Sequence, residues 1–365
     1  MAPLFIVGTK QDIGKTTTSI GLLSAFRRRG FSVGYIKPLG QRIKGSAGYI
    51  VHDDARLIAS ILGREFDEEL EMPIPLPSGR VEKEVYDLDT SALFGKARAM
   101  YERLADRYEI VVIEGMGHVA AGSCLGLSAA EVSKGLGAKT LLISGGGIGR
   151  ALDEISLCAT FLTARGAPPI GVSINKVWRE KYDRVKRATA AGLEHFGLRC
   201  FGVVPYEELL ASPTMHQAFG YLKDAELLAG QEHLGNRVRN IIVAAMETEN
   251  MVKYISRGTL VITPGDRSDN IHAALSAHML GEHDGKAVAG IILTGGIAPT
   301  GSVRRMIDDA RLPVVISSHD TYKVASKLRE TVFKITPDDP ERIDRASRIM
   351  EEYLDVDAIL ELLRG

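Results

Sequence analysis

Gly8-Thr9-Lys10-Gln11-Asp12-Ile13-Gly14-Lys15-Thr16-Thr17 is the stretch on which the reading of the fold turns. An apolar run at 4–8 precedes it and a helical pattern at 15–29 follows, which is the setting a phosphate-binding loop between strand and helix requires. In such a turn the backbone N–H groups at the helix start wrap phosphate oxygens, and the helix dipole favours their charge. Lys15 is placed to reach the β- and γ-phosphate oxygens and the Thr16 hydroxyl to ligate Mg2+, while Gly14 and Thr17 complete the cradle. The usual spacing puts four residues between the two glycines; here five separate Gly8 from Gly14, so Thr9 stands where the first glycine normally falls. A glycine-rich structural turn is the bland alternative. The Gly-Lys-Thr-Thr run after a strand argues instead for ATP with Mg2+ as cofactors.

Outward from the loop, strands are expected at 32–37, 110–113, 140–143, 170–174 and 200–204. Helices are expected at 54–62, 90–107, 152–165 and 181–196. The alternation predicts an α/β fold, a P-loop NTPase parallel sheet with helices on both faces. Val111-Val112-Ile113 is apolar on both sides, as a sheet covered twice must be. Residues 65–87, with Pro73, Pro75, Pro77 and Gly79, read as a long mobile connection and a candidate lid or substrate loop. After an irregular stretch a second, smaller α/β series follows, with strands expected at 240–244, 259–262, 289–293 and 314–317, and 340–363 is helical. The resulting division is a P-loop domain at 1–206, a linker at 207–235, a second domain at 236–338 and a C-terminal helix at 339–365.

Composition narrows the partners. With 45 basic and 46 acidic residues the formal charge is −1, so nothing in the balance favours nucleic acid or a membrane surface, and a nucleotide or small-molecule acid is the expected partner. The cysteines Cys124, Cys158 and Cys200 are odd in number and widely spaced, which fits neither a disulfide framework nor a zinc site. No run approaches the roughly 18 apolar residues of a membrane span. A reduced, cytoplasmic location is the expectation.

Further candidate residues fall at strand ends, where open parallel sheets bind ligands. Lys37-Pro38 ends the second strand and can hold an anionic group beside the γ-phosphate; a surface lysine is the alternative. Asp54 and Glu114 are carboxylates suited to Mg2+, although either Asp53 or Asp54 can instead cap a helix. Asn175 ends another strand, where an amide that donates and accepts can read adenine. His118, beside Gly117, is open between ligand, proton donor and packed residue.

Taken together, Gly8 to Thr17, Tyr35-Ile36-Lys37-Pro38, Asp54-Ala55, Glu114-Gly115-Met116-Gly117, Asn175 and Gly202-Val203-Val204-Pro205 resemble dethiobiotin synthetase and the related cobyrinic acid diamide synthase ATPases. The resemblance covers about 1–206 in order. It implies that Lys15 and Lys37 contact phosphate as catalytic residues, that Thr16, Asp54 and Glu114 form the Mg2+ site, and that Asn175 reads the base. Two departures stand out: His118 replaces a glycine, and Leu39-Gly40-Gln41 replaces the Ser-Gly that helps hold the diamine substrate. Lys10, five residues before Lys15, matches the position of the signature lysine of MinD-type ATPases, which reaches across a dimer to the partner's nucleotide. A homodimer follows from that resemblance; an exposed loop lysine is the alternative.

The second half resembles the DRTGG domain. Gly265-Asp266-Arg267 follows one strand and Thr294-Gly295-Gly296 another, so both motifs are expected at one crevice. There Arg267 offers a fork for an anion and the glycines permit close backbone approach. A structural turn with a capping Asp is the alternative. The order of the two halves resembles the N-terminal region of long phosphate acetyltransferases. Two functions remain: a Mg-ATP enzyme that phosphorylates or activates a small acid or carbamate, and a nucleotide-sensing regulatory protein.

Overall fold

A computed structural model of the chain describes residues 1–45, 48–50, 53–67, 71, 74–77, 86, 89–284 and 287–365. The fold divides into two units: Met1–Glu207 with Ile335–Gly365, and Glu208–Lys334. The second unit is therefore an insertion in the chain of the first.

The first unit is built on six parallel strands, β1 (Leu4–Gly8), β2 (Val33–Ile36), β6 (Ile110–Glu114), β7 (Lys139–Gly145), β8 (Pro169–Val177) and β9 (Cys200–Pro205). Their order is β2-β6-β1-β7-β8-β9. Successive residues of β1 and β6 are buried on both faces, which explains why these strands read as unbroken apolar runs. Between β2 and β6 lie β3 (Leu39–Gly45), β4 (Gly48–Ile50) and β5 (Ile74–Pro77), a separate small sheet. The candidate lid at 65–87 lies largely outside the described residues; within it β5 pairs in parallel with β3.

Around the main sheet lie α1 (Lys15–Arg28), α2 (Asp53–Ile61), α3 (Thr90–Ala105), α4 (Ala129–Leu136), α5 (Gly149–Ala164) and α6 (Tyr182–His195). The pattern above misses α4, although Ser128 and Glu131 form a capping box that marks its start. From β1 the chain passes to the edge strand β2, returns to β6 and only then crosses to β7, so the direction of the connections reverses beside β1. Its carboxyl end is the switch point where α/β sheets take ligands.

In the second unit α7 (Glu208–Ala211) and α8 (Met215–Gly220) lead into β10 (Ala225–Ala229). The other strands are β11 (Asn240–Val243), β12 (Thr259–Pro264), β13 (Gly290–Thr294) and β14 (Val314–Ser317), in the order β10-β14-β13-β12-β11. All pairs are parallel except β10 on β14. Helices α9 (Thr248–Met251), α10 (Ser268–Asp284), α11 (Gly301–Asp309) and α12 (Thr321–Glu330) complete the unit. Apolar clusters fill both faces of the sheet, one around Val261, Ile271 and Leu293, the other around Met215, Ile262 and Val324. The stretch expected as a linker at 207–235 thus contributes helices and an edge strand. Ala-Glu-Leu-Leu-Ala is made of helix formers, and only pairing with β14 turns it into a strand.

The chain returns to the first unit as two helices, α13 (Pro340–Tyr353) and α14 (Val356–Arg364), where one helical stretch is expected from the pattern. The break is built in: Asp355 donates its N–H to Phe201 O at 2.8 Å, and its carboxylate accepts from Ala358 N at 3.0 Å to start the second helix. Both helices cover the first unit. Ser24 and Ser347 meet at 3.1 Å, Arg28 and Arg29 pair with Glu351, and Arg29 also reaches Asp357 at 2.7 Å.

Candidate functional site

The loop between β1 and α1 turns on Gly14, whose φ of 104° is left-handed backbone that a side chain disfavours. A Cβ there would lie 2.1 Å from Asn175 Nδ2. That amide donates to Ile13 O at 2.9 Å, while its Oδ1 accepts from Lys176 N at 2.9 Å. Lys176 Nζ donates to Asp12 O at 2.7 Å. The end of β8 therefore holds the loop from below, with the amide expected to read a base bonded to loop backbone.

Lys15, in the first turn of α1, is buried and donates to Gly117 O at 2.6 Å and to Lys10 O at 3.4 Å. Burial pulls its pKa down to about 8; the Glu114 carboxylate opposes this, and the nearby Lys37 adds to it. Thr17 follows in the same turn, half-buried.

Glu114, at the end of β6, receives four donors. Its Oε1 accepts from Thr16 Oγ1 at 2.9 Å and Lys37 Nζ at 3.2 Å, and its Oε2 from Ser19 Oγ at 2.9 Å and Tyr35 OH at 3.1 Å. Lys37 Nζ also donates to Asp54 Oδ2 at 2.6 Å. Lys37, Asp54 and Glu114 are all buried, so Lys37 is no surface lysine. Burial disfavours the Lys37 charge, but the Asp54 and Glu114 carboxylates override it and leave the group above the ordinary lysine value.

Five of the expected residues, Lys15, Thr16, Lys37, Asp54 and Glu114, are thus brought to one place at the carboxyl ends of β1, β2 and β6. Two were missed, Ser19 and Tyr35, and both carried a signal. Tyr35 is two residues from Lys37 on a strand, and Ser19 three from Thr16 on a helix, so each shares a face with a residue already singled out.

Lys10 stands apart. Its side chain is 46% exposed and pairs with Glu154 of α5 at 3.5 Å, and Thr9 Oγ1 donates to the same carboxylate at 3.4 Å. His118 is exposed and its Nδ1 accepts from Ala120 N at 3.2 Å, the bond of a turn residue. Among the described residues no group of three or more His, Cys, Asp or Glu is arranged to hold a metal by itself. Nor is any described helix long and apolar enough to cross a membrane.

In the second unit the two motifs do meet. Gly265 N donates to Thr294 O at 3.0 Å, and a Cβ on Gly265 would strike Ile297 O at 1.8 Å. The paired glycines, with φ of 83° and 66°, spend their amides on the end of β14 and the turn after it: Gly295 N reaches His319 O at 2.8 Å and Gly296 N reaches Ser317 O at 2.9 Å. Thr294 and Thr321 share a hydroxyl contact of 2.7 Å. The Arg267 fork is closed on Asp269, at 2.9 and 2.8 Å, and this bond holds the Asp269 carboxyl down at about 2. Asp266 is exposed. Residue patterns did not find Asp224, which accepts from Ser317 Oγ at 2.6 Å, Ser318 Oγ at 3.0 Å and His319 N at 3.3 Å. Burial raises its pKa, but these donors outweigh burial and keep it well below the usual carboxylate range.

Comparison with known proteins agrees with this layout. A family model described as an AAA domain matches residues 2–214, and one described as a DRTGG domain matches residues 222–331. The phosphate acetyltransferase of Nitratidesulfovibrio vulgaris is 26% identical over 361 residues, covering 96% of this chain and 50% of that protein. That of Pseudomonas aeruginosa is 28% identical over 372 residues, covering 97% and 51%. The chain spans about half the length of the curated relatives it matches. Among solved structures, the MinC:MinD cell division complex of Aquifex aeolicus gives a TM-score of 0.40 at 14% identity, covering 57% of this chain and 84% of that one. The CBS and DRTGG domains of the regulatory region of Clostridium perfringens pyrophosphatase, complexed with the activator diadenosine tetraphosphate, give 0.28 at 16%, covering 39% and 67%.

Proposed function

Because the chain belongs to the AAA domain family over residues 2–214 and carries a DRTGG domain behind that match, we propose that its first unit binds ATP with Mg2+ and hydrolyses it or transfers its phosphoryl group to a small acid or carbamate. The observation that carries this reading is the meeting of Lys15, Thr16, Lys37 and Asp54 around Glu114 at the mouth of the β1–α1 loop. Thr16, Asp54 and Glu114, oxygen donors of the hard kind Mg2+ prefers, would hold the ion, which would supply neutralisation of phosphate charge.

The other roles belong to the chain itself. Backbone N–H groups after Gly14 receive phosphate oxygens. Lys15, now on the Gly117 carbonyl, exchanges that neutral acceptor for an anionic one, which favours its charged form. Asn175 is assigned to holding the loop rather than reading the base, since both ends of its amide are already bonded. Phosphoryl transfer asks mainly for positioning and charge neutralisation, which this arrangement supplies. Calorimetry tests the reading: the full chain binds ATP with Mg2+, and Lys15→Ala loses most of the affinity. Equal affinity in the two proteins would reject it.

A second reading, a nucleotide-sensing regulatory protein, is favoured by the insertion topology. The segment leaving the second unit enters α13, and α13 packs on α1, the helix that begins at the phosphate loop. On that reading Asp266, Arg267, Thr294, Gly295 and Gly296 line a second ligand site, and the protein acts as a cytoplasmic homodimer with Lys10 at its nucleotide. ATP binding with no turnover in the presence of small carboxylic acids would select the sensor.

A further inference from the structure

We propose that Lys37 is the resident cation of the metal site: its ammonium stands in the place of the metal in the nucleotide-free protein and must leave when Mg2+ enters. The inference rests on the Mg-nucleotide reading above and deepens it.

Lys37 Nζ bridges Asp54 Oδ2 at 2.6 Å and Glu114 Oε1 at 3.2 Å. The same Oε1 is the acceptor of Thr16 Oγ1 at 2.9 Å, so both carboxylate oxygens expected to bond a metal now hold the ammonium, with the Thr16 hydroxyl on one of them. The other oxygen of Glu114 is taken by Ser19 and Tyr35, which fixes the carboxylate and leaves Oε1 pointing at Thr16 and Lys37. The three side chains are 6%, 3% and 1% exposed, so water screens little between them.

Mg2+ bonds oxygen at about 2.0–2.1 Å and demands near-octahedral geometry. A divalent ion on Glu114 Oε1 would sit beside an ammonium that claims the same oxygen, and in a buried place the two cations repel strongly. The ammonium cannot simply vanish either, because buried carboxylates without their counter-charge are costly. Exchange of one cation for another resolves both conditions. Lys37 then needs a new anion at the moment it is displaced, and the phosphates of an arriving nucleotide, or an acidic acceptor, provide one. The consequence is a low metal affinity without nucleotide, and a lysine freed for the transferring group only once metal and nucleotide are both present.

Lys37→Met tests this without nucleotide and without any activity measurement. The wild-type melting temperature should move by less than about 1 °C on adding Mg2+ at roughly 10 mM, whereas Lys37→Met should start lower and regain about 3 °C or more. Calorimetric Mn2+ titration should show about 10-fold or greater tightening in the same variant. Lys37→Arg, which keeps a cation there, should behave like the wild type. If Lys37→Met is recovered only as insoluble protein, refolding with and without Mg2+ decides: soluble protein only with metal supports the exchange, and no rescue overturns it. An equal response of wild type and Lys37→Met to either metal also overturns it. A wild type that binds Mg-ATP yet shows this equal response rejects the exchange alone, whereas a wild type that does not bind Mg-ATP rejects the underlying reading.

Discussion

The Lys15 ammonium donates to the Gly117 carbonyl across 2.6 Å, so a neutral backbone oxygen holds a lysine that burial has pulled down to about 8. This predicts proton uptake on nucleotide binding. Near pH 8.5 the free protein has Lys15 partly deprotonated, and phosphate contact restores its charge. Calorimetry in buffers of different ionisation enthalpy should find uptake that fades towards pH 6.5. No uptake at pH 8.5 despite ATP binding would refute it.

The same group bears on stability. Its folded pKa lies below the unfolded value of 10.5, so the unfolded chain binds more protons between about pH 8 and 10.5. Its cost to the nucleotide-free fold is therefore fully present below pH 8 and relieved as pH rises through that window. Relative to Lys15→Met, the wild type should gain stability from pH 8 to 10 in urea titrations.

Glu114→Gln should destabilise the nucleotide-free protein by about 3 kcal/mol, because the new NH2 group meets hydroxyl and ammonium donors where a carboxylate accepted them. A loss under about 1 kcal/mol in denaturant unfolding would show that the donors find other acceptors easily.

Gly14→Ala should cost about 1–3 kcal/mol, since it meets both the left-handed φ and the close Asn175 amide. Asn175→Ala combined with it should lose less than the sum of the two singles, because the clash disappears with the amide.

Because the second unit is an insertion, only certain fragments of the chain should fold. A fragment of 1–206 leaves α1 without α13 and α14, and should be poorly soluble until 335–365 is supplied through a short linker. A fragment of 208–334 should fold, whereas one beginning at 236 lacks Met215, Ala218 and Leu222 from its core and strand β10 from its sheet edge. Comparing fragments by two-dimensional NMR dispersion would settle each case. At the covered face, Gly21→Val should cost about 1–3 kcal/mol, because a Cβ there already stands 2.2 Å from Met350 Cβ.

What was legible in the sequence follows physical locality. The phosphate loop could be read because its chemistry needs Gly14, Lys15 and Thr16 side by side, and the buried strands because sheets covered twice must be apolar throughout. Lys37 and Glu114 could be named at strand ends and Asp54 at a helix start, but not their union: the bond between Lys37 and Asp54 depends on β2 and α2 meeting beside β6. Strand β10 was hidden by its helix-forming residues, and the placement of α13 on α1 by more than three hundred residues of separation. Asn175 could be placed at a strand end, but its bonds to Ile13 O and Lys176 N could not be read from that position.

The insertion also fixes an order of events during synthesis. The helix that begins at the phosphate loop is made early, yet the helices that cover it are made only after the whole of Glu208–Lys334 has been synthesised. At ordinary elongation rates the inserted residues alone take roughly 6 to 25 s, ample for the inserted unit to fold first. Until then the partly built sheet carries an uncovered apolar helix face. The nascent chain is thus most in need of a chaperone in the interval when its inserted unit is already complete.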